Sequence, residues 1–447
     1  MEFSKKIKKI MVASITAITL FAGVSSSIIS ADNSSSTSVS TSQLTQSKNQ
    51  QLQLDIKGGI AVDEKTGQVL FQQNENQPLP VASVTKLLTT YIVLDAIKSG
   101  KLSWNQKITP TQNIANVSQD TSLSNVPLST DKQYTVKSLY EAMLIYSANG
   151  ATMALAQAVA GSQKAFVDLM KKQAEKFGIK DAQIYTTCGL TNSQVKDDAY
   201  PGAAGNAENK FSAKDVAIIA SKLLQKYPEV LKTTSIKKLN FNNGNGETEM
   251  QNWNWMLPGG SSSDANLPVD GLKTGTSDAA QACFVGTTNK DGHRIITVVL
   301  GAQHKNDEDN SRFVQTQKMM SYVYDTYKYV ILDKGTNLAK VSVYQGKAEK
   351  VNVKSAKQIG LWIKKDQSQK EIKAKIALNK NATEKGALKA PVKKNKVIGK
   401  LTFEVNGQKV PTIFDDKGCQ VTAQSAQSTE KANLFQIMWR KITGIFN

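Results

Sequence analysis

Histidine is nearly missing from this chain: 447 residues hold two, His293 and His304. With so few imidazoles, a zinc centre or a Ser-His-Asp triad is hard to assemble, and a serine enzyme would need its base from another residue type. Cysteine is almost as scarce. Cys188, Cys283 and Cys419 lack metal-ligand spacing, so no metal or cofactor is expected, and the odd count leaves at least one thiol unpaired even in an oxidising compartment. Buried free thiols are the expectation. Acidic residues are outnumbered, 37 against 56 Lys and Arg, for a formal charge of +19. So basic a chain is drawn to polyanions. It carries none of the usual nucleic-acid motifs, and no nucleic-acid partner is expected. An anionic cell wall or membrane surface fits better; the alternative is that surface lysines only keep the protein soluble.

What is present begins with an export signal. Lys5, Lys6, Lys8 and Lys9 precede an apolar run over 10–24, then small residues with a cleavage point near Ala31. The run has the length of a secretory signal rather than of a membrane span. Removing residues 1–31 leaves a charge of about +16. Residues 32–53 are a Ser-, Thr-, Gln- and Asn-rich spacer. Structure is expected from 54. A hairpin turns at 63–67, and a helix runs from Ser83 to its stop at Gly100. Further helices are expected over 136–147, 151–160 and 213–224, with Asn149-Gly150 read as a helix-ending turn. Strands follow at 281–287 and 294–300, then a closing helix over 311–327. Residues 54–330 form one expected domain. A small all-β domain over 338–422 follows, including a hairpin over 390–399. In 431–447, Leu434, Phe435, Met438, Trp439, Ile442, Ile445 and Phe446 oppose Asn433, Gln436, Arg440, Thr443 and Asn447. Such a helix suits a membrane interface and is too short and polar to span it.

Three short motifs stand in order: Ser83-Val84-Thr85-Lys86, Ser147-Ala148-Asn149 and Lys273-Thr274-Gly275. Decoys exist at Ser47-Lys48-Asn49, Lys65-Thr66-Gly67 and Ser235-Ile236-Lys237-Lys238. They fall in the spacer, in a turn and ahead of a strand-like run, so order and element type select the first set. A serine hydroxyl needs a base to become a nucleophile. At i and i+3 of a helical turn, Lys86 can reach Ser83, and it can act once burial and a second cation, Lys273, lower its pKa. Ser147 and Asn149 lie in a loop between helices. Lys273 and Thr274 lie on a strand edge along which a peptide could add as a further strand, and Gly275 lets backbone approach closely.

The set resembles the penicillin-binding, serine-active D,D-peptidases. The likeness to the low-molecular-mass D-alanyl-D-alanine carboxypeptidases extends over the 63–71 hairpin, 82–88, 147–150, Cys188-Gly189-Leu190, 211–215, 270–277, the β domain and the tail helix. It implies an α/β (α+β) fold, a β-lactamase/transpeptidase-like antiparallel sheet flanked by helices, and removal of the terminal D-alanine from peptidoglycan stems ending in D-Ala-D-Ala. Carried over, Ser83 is the nucleophile, Lys86 its base and Ser147 a proton relay. Asn149 binds the substrate amide, Lys273 and Thr274 orient the substrate, and Gly275 lies beside it. The N–H groups of Ser83 and Thr276 form the oxyanion hole, and Arg312 holds the terminal carboxylate. β-Lactams would acylate Ser83. The protein would act at the outer face of the cytoplasmic membrane and in the wall. A D,D-endopeptidase or transpeptidase shares the acyl-enzyme step and stays open, as does a non-catalytic wall-binding protein. A class A β-lactamase fits less well: its second motif is usually Ser-Asp-Asn, and no Glu-x-x-Leu-Asn run lies between Gly150 and Lys273.

Overall fold

The computed structural model describes residues 52–443. The expected signal, all but the last two residues of the spacer, the Ser47 decoy and the last four residues of the tail helix lie outside the described residues.

Five strands make the central antiparallel sheet: β1 (Gly58–Asp63), β2 (Val69–Gln73), β3 (Val269–Ser277), β4 (Gln281–Lys290) and β5 (His293–Ala302). Their order is β2-β1-β5-β4-β3. The β1–β2 turn forms as expected: Asp63 Oδ1 accepts the Thr66 N–H at 2.7 Å, and Gly67 supplies a φ of +66° that a Cβ would disfavour. β1 pairs along its length with β5, from Gly58 opposite Leu300 to Asp63 opposite Ile295. Side chains alternate across this sheet. Ile60, Val62, Val285, Ile296 and Val298 face the larger helical core. Ala61, Phe284, Ile295 and Val299 face Phe313, Met319, Met320 and Val323 of the closing helix, Ser311–Thr326. Both faces of the sheet are therefore covered, and β3 is left at one edge.

The helix expected from Ser83 is two pieces. A 3-10 turn, Ala82–Thr85, leads into an α-helix over Lys86–Lys98. Ten of that helix's thirteen residues are buried, so it is a central helix rather than an amphipathic surface one. Its buried threonines are satisfied by backbone: Thr89 donates to Thr187 O at 2.6 Å and Thr90 to Lys86 O at 2.6 Å. Helices Val136–Ile145 and Asn149–Ala160 flank a three-residue connection. Here the expectation needs correction. Asn149-Gly150 does not end a helix but opens one, and Gly150 is required because a Cβ there would lie 2.4 Å from Ser118 Cβ. Ser212 and Asp215 form a reciprocal capping box that starts the helix Ala213–Lys226.

The chain continues as strand at Tyr327–Leu332, paired with Ile359–Lys364, and then as an eight-stranded sheet. The hairpin expected over 390–399 is absent. Ala387–Lys389 runs parallel to Asn337–Tyr344, whereas Val397–Val405 pairs with Ile372–Leu378 and Gln420–Ser425. The stretch between them is held elsewhere: Val392 N–H donates to Thr429 O and Asn395 N–H to Ser425 O, both at 2.9 Å. A buried clamp ties this β-rich part to the central sheet. Gln68 Nε2 donates to Trp362 O at 2.7 Å, Trp362 N–H donates to Gln68 Oε1 at 2.9 Å, and Trp362 Nε1 donates to Asp63 Oδ2 at 3.0 Å. Gln68→Ala strands two buried backbone groups of Trp362. It is expected to cost about 2–4 kcal/mol, read as a lower guanidinium unfolding midpoint.

The tail helix, Leu434–Thr443, exposes Leu434, Phe435, Met438, Trp439 and Ile442. Its opposite side is fastened by Arg440, which donates to Gly346 O at 2.8 Å and Lys347 O at 2.6 Å and pairs with Glu349 at 2.9 Å. Among the described residues no helix is long and apolar enough to cross a membrane.

Candidate active site

The three motifs converge where the 3-10 turn, the 146–148 connection and the β3 edge meet. In 3-10 geometry side chains at i and i+3 eclipse, and Ser83 Oγ lies 2.7 Å from Lys86 Nζ. Close backbone passage sets this corner. A Cβ on Gly275 of β3 would lie 2.5 Å from Val81 O and 3.2 Å from Ser83 N, so glycine there lets the strand edge lie directly on the serine turn. Beneath the turn, Gly189 adopts a φ of +85°, and a Cβ on it would lie 2.0 Å from Ala82 O. That contact brings the preceding carbonyl, Cys188 O, within 2.7 Å of Lys86 Nζ.

Lys86 is fully buried, and its third partner is Asn149 Oδ1 at 2.8 Å. Asn149 is itself held by Ser124 O, which accepts from both its backbone N–H and its Nδ2 at 3.0 Å. Among the described residues, no carboxylate is a hydrogen-bond partner of Lys86 Nζ. Burial lowers its pKa to about 8. Lys273 was expected to be the second cation that lowers Lys86. The expected burial effect is the leading cause for Lys86 and the charge of Lys273 is not among the causes, while Lys273 is held well below its ordinary range by its own burial, then by the charges of Lys86 and Arg312. Lys273 Nζ donates to Thr274 O at 3.0 Å.

Ser147 stands in the left-handed region, with a φ of +63°. Such a conformation costs a non-glycine residue about 1–2 kcal/mol and clusters at functional sites. Its hydroxyl oxygen is buried without a hydrogen-bond partner among the described residues. A buried, unpaired hydroxyl in a cleft wall is suited to a group that arrives with a ligand.

The cleft measures about 130 Å3, and its walls include Ser83, Ser147, Thr274, Gly275, Thr276 and Arg312. Lys86, Asn149 and Lys273 lie buried beside them. Arg312, the first-turn residue of the closing helix, donates to Gly275 O at 3.0 Å and Cys283 O at 3.4 Å. Sequence reasoning missed Ser124, Trp253, Trp255, His304, Asp307, Asp309 and Phe313, which also line the cleft. It missed the Cys188 carbonyl too, although Cys188-Gly189 stood within the resemblance. The three thiols are free and buried.

Residues 44–304 match the D-alanyl-D-alanine carboxypeptidase family, and residues 326–431 match the C-terminal domain of penicillin-binding protein 5. The chain is 27% identical to the D-alanyl-D-alanine carboxypeptidase DacF of Bacillus subtilis over 79% of its own length and 82% of that protein. Among solved structures, a peptidoglycan synthesis regulatory factor (PBP3) from Streptococcus pneumoniae is 33% identical, with a TM-score of 0.68 over 85% of this chain and all of that one. Penicillin-binding protein 5 from Haemophilus influenzae is 26% identical, with a TM-score of 0.66 over 85% and 99%. With its motifs gathered at one cleft and more than half its length matched by the family, the chain belongs to the D-alanyl-D-alanine carboxypeptidases.

Proposed function

We propose the following division of labour in the serine D,D-carboxypeptidase reaction of this family. Neutral Lys86 takes the proton of Ser83, and Oγ attacks the carbonyl of the penultimate D-alanine. Negative charge develops on that oxygen between the N–H groups of Ser83 and Thr276. Ser147 gives its hydroxyl proton to the departing nitrogen and takes one from the Lys86 ammonium, the C–N bond breaks, and D-alanine leaves. The ester on Ser83 is then hydrolysed by water, releasing the shortened stem. Asn149, Thr274 and Gly275 border the substrate amides. Arg312 receives the terminal carboxylate, and Lys273 and Thr274 orient the substrate. A β-lactam enters the same path and stays attached after its ring opens. The observation that carries this reading is the 2.7 Å contact between Ser83 and a fully buried lysine.

The decisive assay incubates the purified protein with a diacetyl-lysyl-D-Ala-D-Ala peptide and measures free D-alanine. Release that penicillin stops is expected; no release from a folded preparation would overturn the reading. Arg312→Ala is expected to lower kcat/KM on this peptide about tenfold to a hundredfold, the weight of a charge-assisted hydrogen bond. Unchanged kinetics would remove Arg312 from carboxylate binding.

We further propose that the protein is exported and held at the outer face of the cytoplasmic membrane by its tail helix. The exposed row Leu434, Phe435, Met438, Trp439 and Ile442 supports this, with Arg440 fastening the other side to the β-rich part. Deleting residues 431–447 is expected to move the protein from the membrane fraction to the soluble one.

A further inference from the structure

A second concavity adjoins the cleft. It measures about 560 Å3, is lined by Tyr146, Lys237 and residues of 249–261, and shares Trp253 and Trp255 with the cleft wall. Trp253 is 38% exposed. Its Nε1 already donates to Tyr146 O at 3.2 Å, and its ring stacks on Tyr146 with centroids 6.1 Å apart at 26°. The polar edge of the indole is thus satisfied within the protein, and what it offers outward is flat apolar carbon. Asn254 also lines the groove and is 4% exposed. Its Oδ1 accepts the Met256 N–H at 3.1 Å, but its Nδ2 is buried with no partner among the described residues. Unsatisfied buried donors are rare in native proteins. Gln251, Lys237 and Glu249 add exposed polar groups to this lining, with Gln251 Nε2 donating to Glu249 Oε1 at 3.0 Å, whereas the Asn252 amide is spent on Thr234 O, Ile236 O and the Asn254 N–H.

We infer that this groove binds an N-acetylated pyranose of the glycan strand. A pyranose has an apolar C–H face that stacks on an indole, and an equatorial rim of oxygens that pairs with exposed polar side chains such as Gln251, Lys237 and Glu249. Its acetamido carbonyl is an acceptor of the kind Asn254 Nδ2 lacks. Because the groove and the cleft share two tryptophans, a strand lying across the mouth occupies one while a stem peptide enters the other. The groove thus holds the polymer beside the serine, and favours stems still attached to glycan over free peptides. The choice of sugar rests on the carboxypeptidase reading; the lining does not.

The test titrates full-length protein, first acylated with penicillin, with N-acetylglucosamine oligomers and follows tryptophan fluorescence. Acylation removes the cleft as a competing site, and its success independently checks the serine enzyme reading. Saturable binding is expected. Trp253→Ala should weaken it about tenfold, the scale of one lost ring contact, while Trp253→Phe keeps most of it. Thermal melts of both variants control for folding, since Trp253 lies at the surface. Absence of saturable binding to the acylated protein, equal affinity of Trp253→Ala, or binding of sugar-free stem peptide in place of the oligomer would each overturn the proposal.

Discussion

Ser83→Ala is expected to eliminate the covalent penicillin adduct and to cut D-alanine release by at least about 10^4-fold. The cleft holds other hydroxyls, on Ser124, Ser147, Thr274 and Thr276, so loss of one need not silence the site on composition alone. Only Ser83 has a buried amine at 2.7 Å. Ser147 is the natural rival, since its oxygen has no partner among the described residues, but the partners of Lys86 Nζ there are Ser83, Asn149 and Cys188. The variant should fold normally. Ser83 is only half-buried and caps no helix through its side chain, so the expected stability change is within about 1 kcal/mol. Intact-mass measurement after penicillin exposure is the check. An adduct of full occupancy on the Ser83→Ala protein, mapped to Ser147, would transfer the nucleophile to the second motif.

Side-chain type and short spacing made the residues gathered at this cleft legible in the sequence. Ser83 and Lys86 needed only a helical turn to meet. The 3-10 form of that turn was not legible, since four residues of either helix look alike in sequence. The β1–β2 hairpin was readable from its polar turn, but its pairing with β5 depends on contacts more than two hundred residues apart. Backbone acceptors leave no residue-type signal, which is why the carbonyls of Cys188 and Ser124 went unseen although they hold Lys86 and Asn149. Lys273 misled in a related way. Its proximity to Lys86 was rightly foreseen, but how each amine divides burial from charge repulsion depends on packing depth. The 390–399 stretch has a hairpin's composition, yet its Val392 and Asn395 backbone groups pair with 429 and 425 instead.

The second large effect concerns Lys86. A buried amine with three oxygen neighbours has two ways to satisfy them. As an ammonium it donates to all three. As a neutral amine it keeps two N–H donors, which suit Asn149 Oδ1 and Cys188 O, both carbonyl acceptors, and turns its lone pair to Ser83, whose hydroxyl then becomes the donor. The neutral form is thus a complete hydrogen-bonding state and the one competent to take the serine proton. With the pKa lowered to about 8, the neutral fraction grows as pH rises through that value, so kcat/KM for a D-Ala-D-Ala peptide should climb along a single ascending limb centred near 8 and level off above it. Lys86→Ala is expected to lose about 10^3-fold or more and to erase the limb. Lys86→Arg decides between the roles a lysine could play. A guanidinium stays protonated at any workable pH, so if Lys86 served only as a cation for the substrate, arginine would retain much of the rate. As a base it must be neutral, and arginine should be as inactive as alanine at every pH. An arginine variant that kept an ascending limb near 8 would assign that titration to another group, with Lys273, whose own pKa is held down by burial, the first to test.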